Sequence, residues 1–403
     1  QSMEKSATRI NSGAVPESWG LLYAAFAFSQ AIGLLSYWTL PILAGALISG
    51  LGLTGAQVGF LGTIEFAGLL ISSLALAPFI DRVLRRTAAI VSVVVVIVTN
   101  LLCAVVDLDY APLAAMRFVC GLGGGLALAV GNATIANARD AEKFSGHMTI
   151  ALVAFMVIIM PVFSRISDQF GHQGVFLALA GTVAIASISI AFLPNEPDLS
   201  LAPAEDAGSS NEQVSWLNAT GVIMIGVAFL FGVRDTLPWL IAEQLGADAG
   251  LSLPETGDLF SLMYAVSIVG PASMIFLSRA VGAKTLFATS MTITGLLAWM
   301  FTTSNGNATQ FSIGIISWST IYFIAFAQLN AVAALIDRKG RLVSAVGSAF
   351  IGGVMAGPIV GGVLLDSGGY ASIGFAELLL TALIALVIVV GLRIGEGGGE
   401  RSK

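Results

Sequence analysis

Residues 81–109 read DRVLRRTAAIVSVVVVIVTNLLCAVVDLD. Residues 87–106 carry no charge, and a helix needs about 20 apolar residues to cross the hydrocarbon of a bilayer. Arg82, Arg85 and Arg86 crowd one end, while Asp107 and Asp109 stand at the other. Lysine and arginine collect on the cytoplasmic side of membrane helices. The stretch therefore predicts a span over 87–107 together with its direction, basic end inside.

Composition extends that reading to the whole chain. Of 403 residues, 56% are hydrophobic and 10% charged, whereas a soluble domain carries roughly 25% charged residues. The 46 glycines and 12 prolines suit a membrane bundle, where both are commoner than in soluble helices. The net charge of −6 says little, because the charges are few and most sit in loops. No basic patch interleaves with aromatics, so nucleic acid is not an expected partner. Cys103 and Cys120 both fall inside apolar runs, which argues against a disulfide framework and against a metal site. Neither GxxxxGK[ST], HExxH nor GxSxG occurs, so no enzyme and no cofactor is expected. Residues 1–18 are polar and the first apolar run is too long for a signal-peptide core, so no cleavable leader is expected.

Twelve candidate spans follow, at 19–46, 57–79, 87–107, 111–137, 146–167, 174–193, 216–246, 256–277, 285–303, 310–336, 342–366 and 370–393. Runs this long and apolar suit helices rather than barrel strands. With the N-terminus inside, all but three of the 18 lysines and arginines fall in inner segments. The exceptions, Arg117, Arg165 and Arg234, lie within or at the edge of spans. The outer segments hold Asp107, Asp109, Asp168, Asp248, Glu255, Asp258 and Asp366. An error of one span would scramble this pattern.

Residues 194–215, PNEPDLSLAPAEDAGSSNEQVS, read as a polar cytoplasmic linker between halves 1–193 and 216–403. The halves repeat at an offset of about 198 residues, carried by the shared order of several short matches. Thr39-Leu40-Pro41 answers Thr236-Leu237-Pro238, and GLTGAQVG from Gly52 answers GLSLPETG from Gly250. Arg139-Asp140 answers Asp337-Arg338, Pro161 answers Pro358, and Asp168 with its glycines answers Asp366 with its own. Duplicated halves place a substrate site at their interface and allow rocking around it.

The loop 77–86, APFIDRVLRR, resembles the signature of the major facilitator superfamily. Asp81, Arg82, Arg85 and Arg86 match, while Ala77 and Leu84 stand where the pattern has glycine. Such a cluster can latch helix ends in one state and release them in another, or act as topogenic charge alone. Arg117, Gly121 and Gly123 in RFVCGLGGG are similar to the family's fourth-helix motif. Arg117 then serves either coupling or helix stitching. Gly353, Gly357-Pro358 and Gly361-Gly362 look like the glycine-proline motif of family antiporters, but in span 11 rather than span 5. Close packing by small residues accounts for them. The resemblance implies an all-α membrane protein, twelve transmembrane helices in two pseudo-symmetric six-helix bundles, with cytoplasmic termini. It also implies a cavity lined most directly by helices 1, 4, 7 and 10.

Ionisable groups inside spans are costly and mark function by default. Arg234, after Gly232 and before Pro238, is the candidate substrate anchor, at a place where a span can break. Its alternative is an internal ion pair with Asp235 or Glu65. Arg165 is a further substrate candidate or a snorkelling boundary residue. Glu65 is the candidate proton carrier, with Asp235 and Arg117 as coupling partners. Glu377 is expected to make a structural hydrogen bond. Tyr37, Trp38, Trp318, Tyr322 and Tyr264 line the pocket or form packing, with Trp318, Tyr322 and Phe326 on one helix face. His147 and His172 are interfacial.

The function expected is proton-coupled uptake, a symport, of a small organic anion with an apolar or aromatic part, by alternating access. The rival is a proton-driven exporter of amphipathic compounds. A sensor or lipid-moving relative is a further class. The expected partners are the substrate, a proton and the lipid bilayer, and the chain is expected to be a monomer in a bacterial-type inner membrane.

Overall fold

The computed structural model describes residues 18–76, 79, 84–136, 141–193, 219–337 and 341–400, and among them every regular element is helical. In order these are α1 (Trp19–Phe26), a π-helical stretch (Ala27–Gly33), α2 (Leu35–Trp38), α3 (Leu40–Leu51) and α4 (Gly55–Leu76). Next come α5 (Arg85–Val105), α6 (Tyr110–Ala136), α7 (Ala141–Ala186) and a 3-10 stretch (Ser187–Phe192). Then follow α8 (Ala219–Leu240), α9 (Ala242–Asp248), α10 (Leu253–Ser267), α11 (Val269–Val281), α12 (Ala283–Thr302), α13 (Ala308–Ile336) and α14 (Arg341–Glu400). Each predicted span overlies helical residues. Among the described residues, eight helical stretches are long and apolar enough to cross a membrane. The linker 194–215 lies outside the described residues, as do Asp81, Arg82, Arg139, Asp140, Arg338 and Lys339.

Two of the long helices turn back on themselves where the repeat places its glycines. In α7 the chain leaves helical geometry at Gly171 (φ 59°). In α14 it does so at Gly368 and Gly369 (φ 63°). Positive φ is open to glycine without the Cβ clash other residues meet, so these glycines separate predicted spans 5 and 6, and 11 and 12.

The other repeat matches also have structural content. Thr54 and Gln57 exchange hydrogen bonds at the start of α4, the Thr54 N–H donating to Gln57 Oε1 at 2.9 Å and the Gln57 N–H to Thr54 Oγ1 at 3.2 Å. Ser252 and Glu255 form the same reciprocal capping box on α10. Each satisfies orphan N–H groups of a helix start, so GLTGAQVG and GLSLPETG are two copies of one cap. The Ser252 backbone N–H, and then its hydroxyl, hold the Glu255 carboxyl below the ordinary glutamate range.

Surface chemistry on α5 is that of a membrane helix. Val94, Val98, Leu101 and Val105 face outward, while Ser92, Thr99 and Asn100 are buried. A helix in water would reverse this, whereas a lipid-facing one keeps its polar side chains inside.

The chain forms two compact units, and these do not follow the boundary between the sequence halves. The first comprises the described parts of Gln1–Trp38, Ala67–Ala154 and Phe176–Asn211. Within it Gly68 lies against the Phe118 carbonyl and Gly125 against Leu69. The second comprises Thr39–Phe66, Phe155–Val175 and the described parts of Glu212–Lys403. Here α14 presses its glycines on α8. A Cβ on Gly353 would meet Phe229 and Val233, and one on Gly357 would lie 2.6 Å from Thr236 Cβ. The span 11 glycines are thus a packing seam, with Gly362 close to Gly55 on the α4 side.

Candidate functional site

The second unit holds a buried ion pair on α8. Arg234 and Asp235 are 0% and 2% exposed. The Arg234 Nε and Nη2 groups both donate to Asp235 Oδ2, at 3.0 and 2.7 Å. Nη2 also donates to Thr294 Oγ1 at 2.5 Å, and Nη1 to the Met291 carbonyl at 2.7 Å. The other carboxylate oxygen, Asp235 Oδ1, accepts from Trp318 Nε1 at 3.0 Å. α12 and α13 therefore supply the remaining partners of a pair that adjacent residues of α8 form. A buried charge needs such compensation, since an unpaired one in low dielectric costs several kcal/mol or more.

Aromatic rings wall this pair. Trp318 stacks on Trp239 at 6.2 Å between centroids and lies 5.5 Å from Tyr322. Tyr322 stacks on Phe326 at 6.3 Å, so the predicted common face of α13 is present. Tyr264 meets Trp239 edge-on at 6.4 Å. The Phe231 ring lies 5.4 Å from the Arg234 guanidinium carbon, a cation–π arrangement.

Two expectations need correction. The span does not break at Pro238: α8 runs unbroken through it to Leu240, and the chain leaves helical geometry at Ile241 (φ −106°, ψ 6°). Proline still acts locally, because it has no N–H to offer the carbonyl four residues back, which is that of Arg234. Glu377 makes no structural hydrogen bond. It is 0% exposed, and neither carboxyl oxygen has a partner. Arg165 stands apart from the Arg234 group. Its guanidinium donates to both oxygens of Asp258, at 2.8 and 2.9 Å, and to the Pro161 carbonyl.

Arg117 in the first unit is 1% exposed and bridges three other elements. It donates to Asn100 Oδ1 on α5 at 3.0 Å and to Ser36 Oγ on α2 at 3.3 Å. It also lies 5.4 Å from the Phe176 ring. Tyr37 and Trp38, in the same unit, pack against each other at 5.0 Å, and the Trp38 indole donates to Gln30. Of the predicted latch, Arg85 is buried. Arg86 donates to the Leu193 and Ala191 carbonyls at 2.7 and 3.1 Å. A basic side chain at a helix C-terminus suits the orphan carbonyls there. Glu65 is buried in α4, the helix whose Gly59 and Gly62 abut Pro358.

The sequence reading missed Glu243. It lies in the first turn of α9 just beyond the Ile241 break, is buried, and sets its carboxyl against Gly45 of α3. Its position within the predicted span 216–246 was the available signal.

A helical membrane protein with ionised groups locked in its interior is the class these observations define. The family description Major Facilitator Superfamily matches residues 26–233, more than half of the chain. The chain belongs to the Major Facilitator Superfamily and is a multi-pass membrane transporter. The multidrug resistance protein MdtL of Klebsiella pneumoniae subsp. pneumoniae is 23% identical over 288 residues, 66% of this chain and 73% of that protein. The gentisate transporter of Corynebacterium glutamicum is 27% identical over 229 residues, 52% of this chain and 50% of that protein. Among solved structures, the nucleoside transporter NupG superposes with a TM-score of 0.70 at 14% identity, covering 94% of this chain and 99% of that one. The D-xylose-proton symporter does so at 0.70 and 13%, covering 91% and 95%. Likeness at this identity speaks for the fold.

Proposed function

We propose that the chain is a proton-coupled importer of a small organic anion with an aromatic body, acting in a bacterial-type cytoplasmic membrane by alternating access. The observation that carries this reading is the buried Arg234–Asp235 pair. A guanidinium is a planar fork suited to a carboxylate, and Asp235 occupies that fork in the state described. A substrate carboxylate and Asp235 compete for the same N–H groups. Protonation of Asp235 weakens its hold and leaves Arg234 for the substrate, so that anion and proton bind together. That linkage is symport. Trp239, Trp318 and Tyr322 offer the apolar surface for a ring, and the gentisate transporter among the relatives favours an aromatic carboxylate. The two sequence halves, 1–193 and 216–403, would rock about the site, with Asp81, Arg82, Arg85 and Arg86 as latch.

A second reading, a proton-driven exporter of amphipathic compounds, is favoured by the two MdtL relatives and by the same aromatic wall. Proteoliposomes separate the two. Labelled gentisate accumulating under an inward proton gradient supports import. Extrusion of a hydrophobic dye by protons moving the other way, without gentisate accumulation, supports export.

A further inference from the structure

The import reading assigns no work to Glu377. Its carboxyl is fully buried on α14, and Oε1 and Oε2 both lack a hydrogen-bond partner. The hydroxyl of Thr381, one turn on, is also buried without a partner, and that side chain lies against Gly295 of α12. Thr294, the neighbour of Gly295, is one of the residues that accept from Arg234. Glu377 thus stands one turn from a side chain packed beside Thr294, near enough for the charges of Arg234 and Asp235 to act on it. The other partners of that guanidinium are neutral: the Met291 carbonyl, the Thr294 hydroxyl and, through Asp235, Trp318.

Charge and hydrogen bonding together fix what such a group can do. One guanidinium faces two acids, so ionising both leaves an excess negative charge in a dry interior. Asp235 has three donors and Glu377 has none. Of the two acids Glu377 is therefore the better place for a proton, since an unpaired buried carboxylate is the costliest arrangement. The existing contacts use four of the five N–H groups a guanidinium carries.

We propose that Glu377 is a second proton-binding residue of the transporter, loading and releasing a proton of its own in each transport cycle. The step is a plain proton exchange, in which an O–H bond forms at the Glu377 carboxyl on loading and breaks on release to water. This rests on the import reading, and it adds a coupled proton to the one that reading places on Asp235. Each coupled proton multiplies steady-state accumulation about ten-fold per pH unit of gradient, because one unit is 1.36 kcal/mol.

The test compares wild type with Glu377→Gln in proteoliposomes, using labelled gentisate and an inward gradient of about one pH unit. The expected result is an about ten-fold lower accumulation with counterflow exchange preserved. Accumulation equal to wild type would make Glu377 a packing residue and overturn the proposal. Where Glu377→Gln loses both accumulation and exchange, Glu377→Asp decides: regained accumulation upholds the proposal, and continued loss overturns it. If wild type itself does not accumulate gentisate, the import reading has failed, and infrared titration then judges Glu377 alone. A protonated-carboxyl band that wild type loses on alkalinisation and that Glu377→Gln lacks upholds the proton site. Superimposable spectra reject it.

Discussion

Two arginine–aspartate pairs in the second unit have almost the same shortest distance and opposite surroundings. Arg165–Asp258 is bidentate with a shortest N–O distance of 2.8 Å, and its side chains are 47% and 56% exposed. Arg234–Asp235 has 2.7 Å, and its side chains are 0% and 2% exposed. Distance alone would rank them as equals, yet their consequences differ. Water and ions share the field of the first pair, so its partners can separate at small cost. The second has fixed partners on α12 and α13 and almost no exposure to solvent. Opening it requires a compensating event, and binding of an anion together with a proton is such an event. The exposed pair ties α7 to α10, whereas the buried one is where the proposed import reading puts the coupling.

That contrast can be broken by removing the same partner from each pair. Asp235→Ala strips the buried Arg234 guanidinium of its hydrogen-bonded counter-ion, at a cost of about 3–5 kcal/mol. Thermal unfolding in detergent should show a markedly lowered midpoint, and proton-driven accumulation should be lost. A midpoint equal to that of wild type would mean that the site hydrates readily and is not dry. Asp258→Ala should cost about 0–1 kcal/mol, the range of solvent-exposed pairs. Raising salt should shrink even that difference, because screening acts on exposed charges. A salt-independent loss as large as that of Asp235→Ala would erase the distinction between the two pairs.

Much of this was legible in the sequence, and the limits have physical causes. Apolar run length and the placement of lysine and arginine located the helices, because lipid imposes both directly. The repeat marked the segments in which the structure shows capping boxes at Thr54 and Ser252 and glycine turns at Gly171 and Gly369, since each is local chemistry within a few residues. Arg234 stood out as a charge inside an apolar run, and its pairing with Asp235 was one of two open alternatives. The role of Trp318 is a contact across 83 residues, which no local pattern encodes. Glu377 was misread because its sequence position says which helix it is on and nothing about which face meets α12. The break at Ile241 rather than Pro238 reflects a helix that tolerates proline when neighbours such as α14 hold it in place. Glu243 escaped notice because a carboxylate near a span end reads as interfacial, while only packing against Gly45 shows it buried.

The central claim is that anion binding opens the Arg234–Asp235 pair and that Asp235 takes up a proton when it does. The most direct test measures proton uptake by the purified protein in weakly buffered detergent solution as gentisate is added, with a pH-sensitive dye as readout. Wild type should take up protons in proportion to the gentisate bound, while Asp235→Asn should bind gentisate with that uptake reduced or absent. Gentisate binding by wild type with no proton uptake would contradict the account.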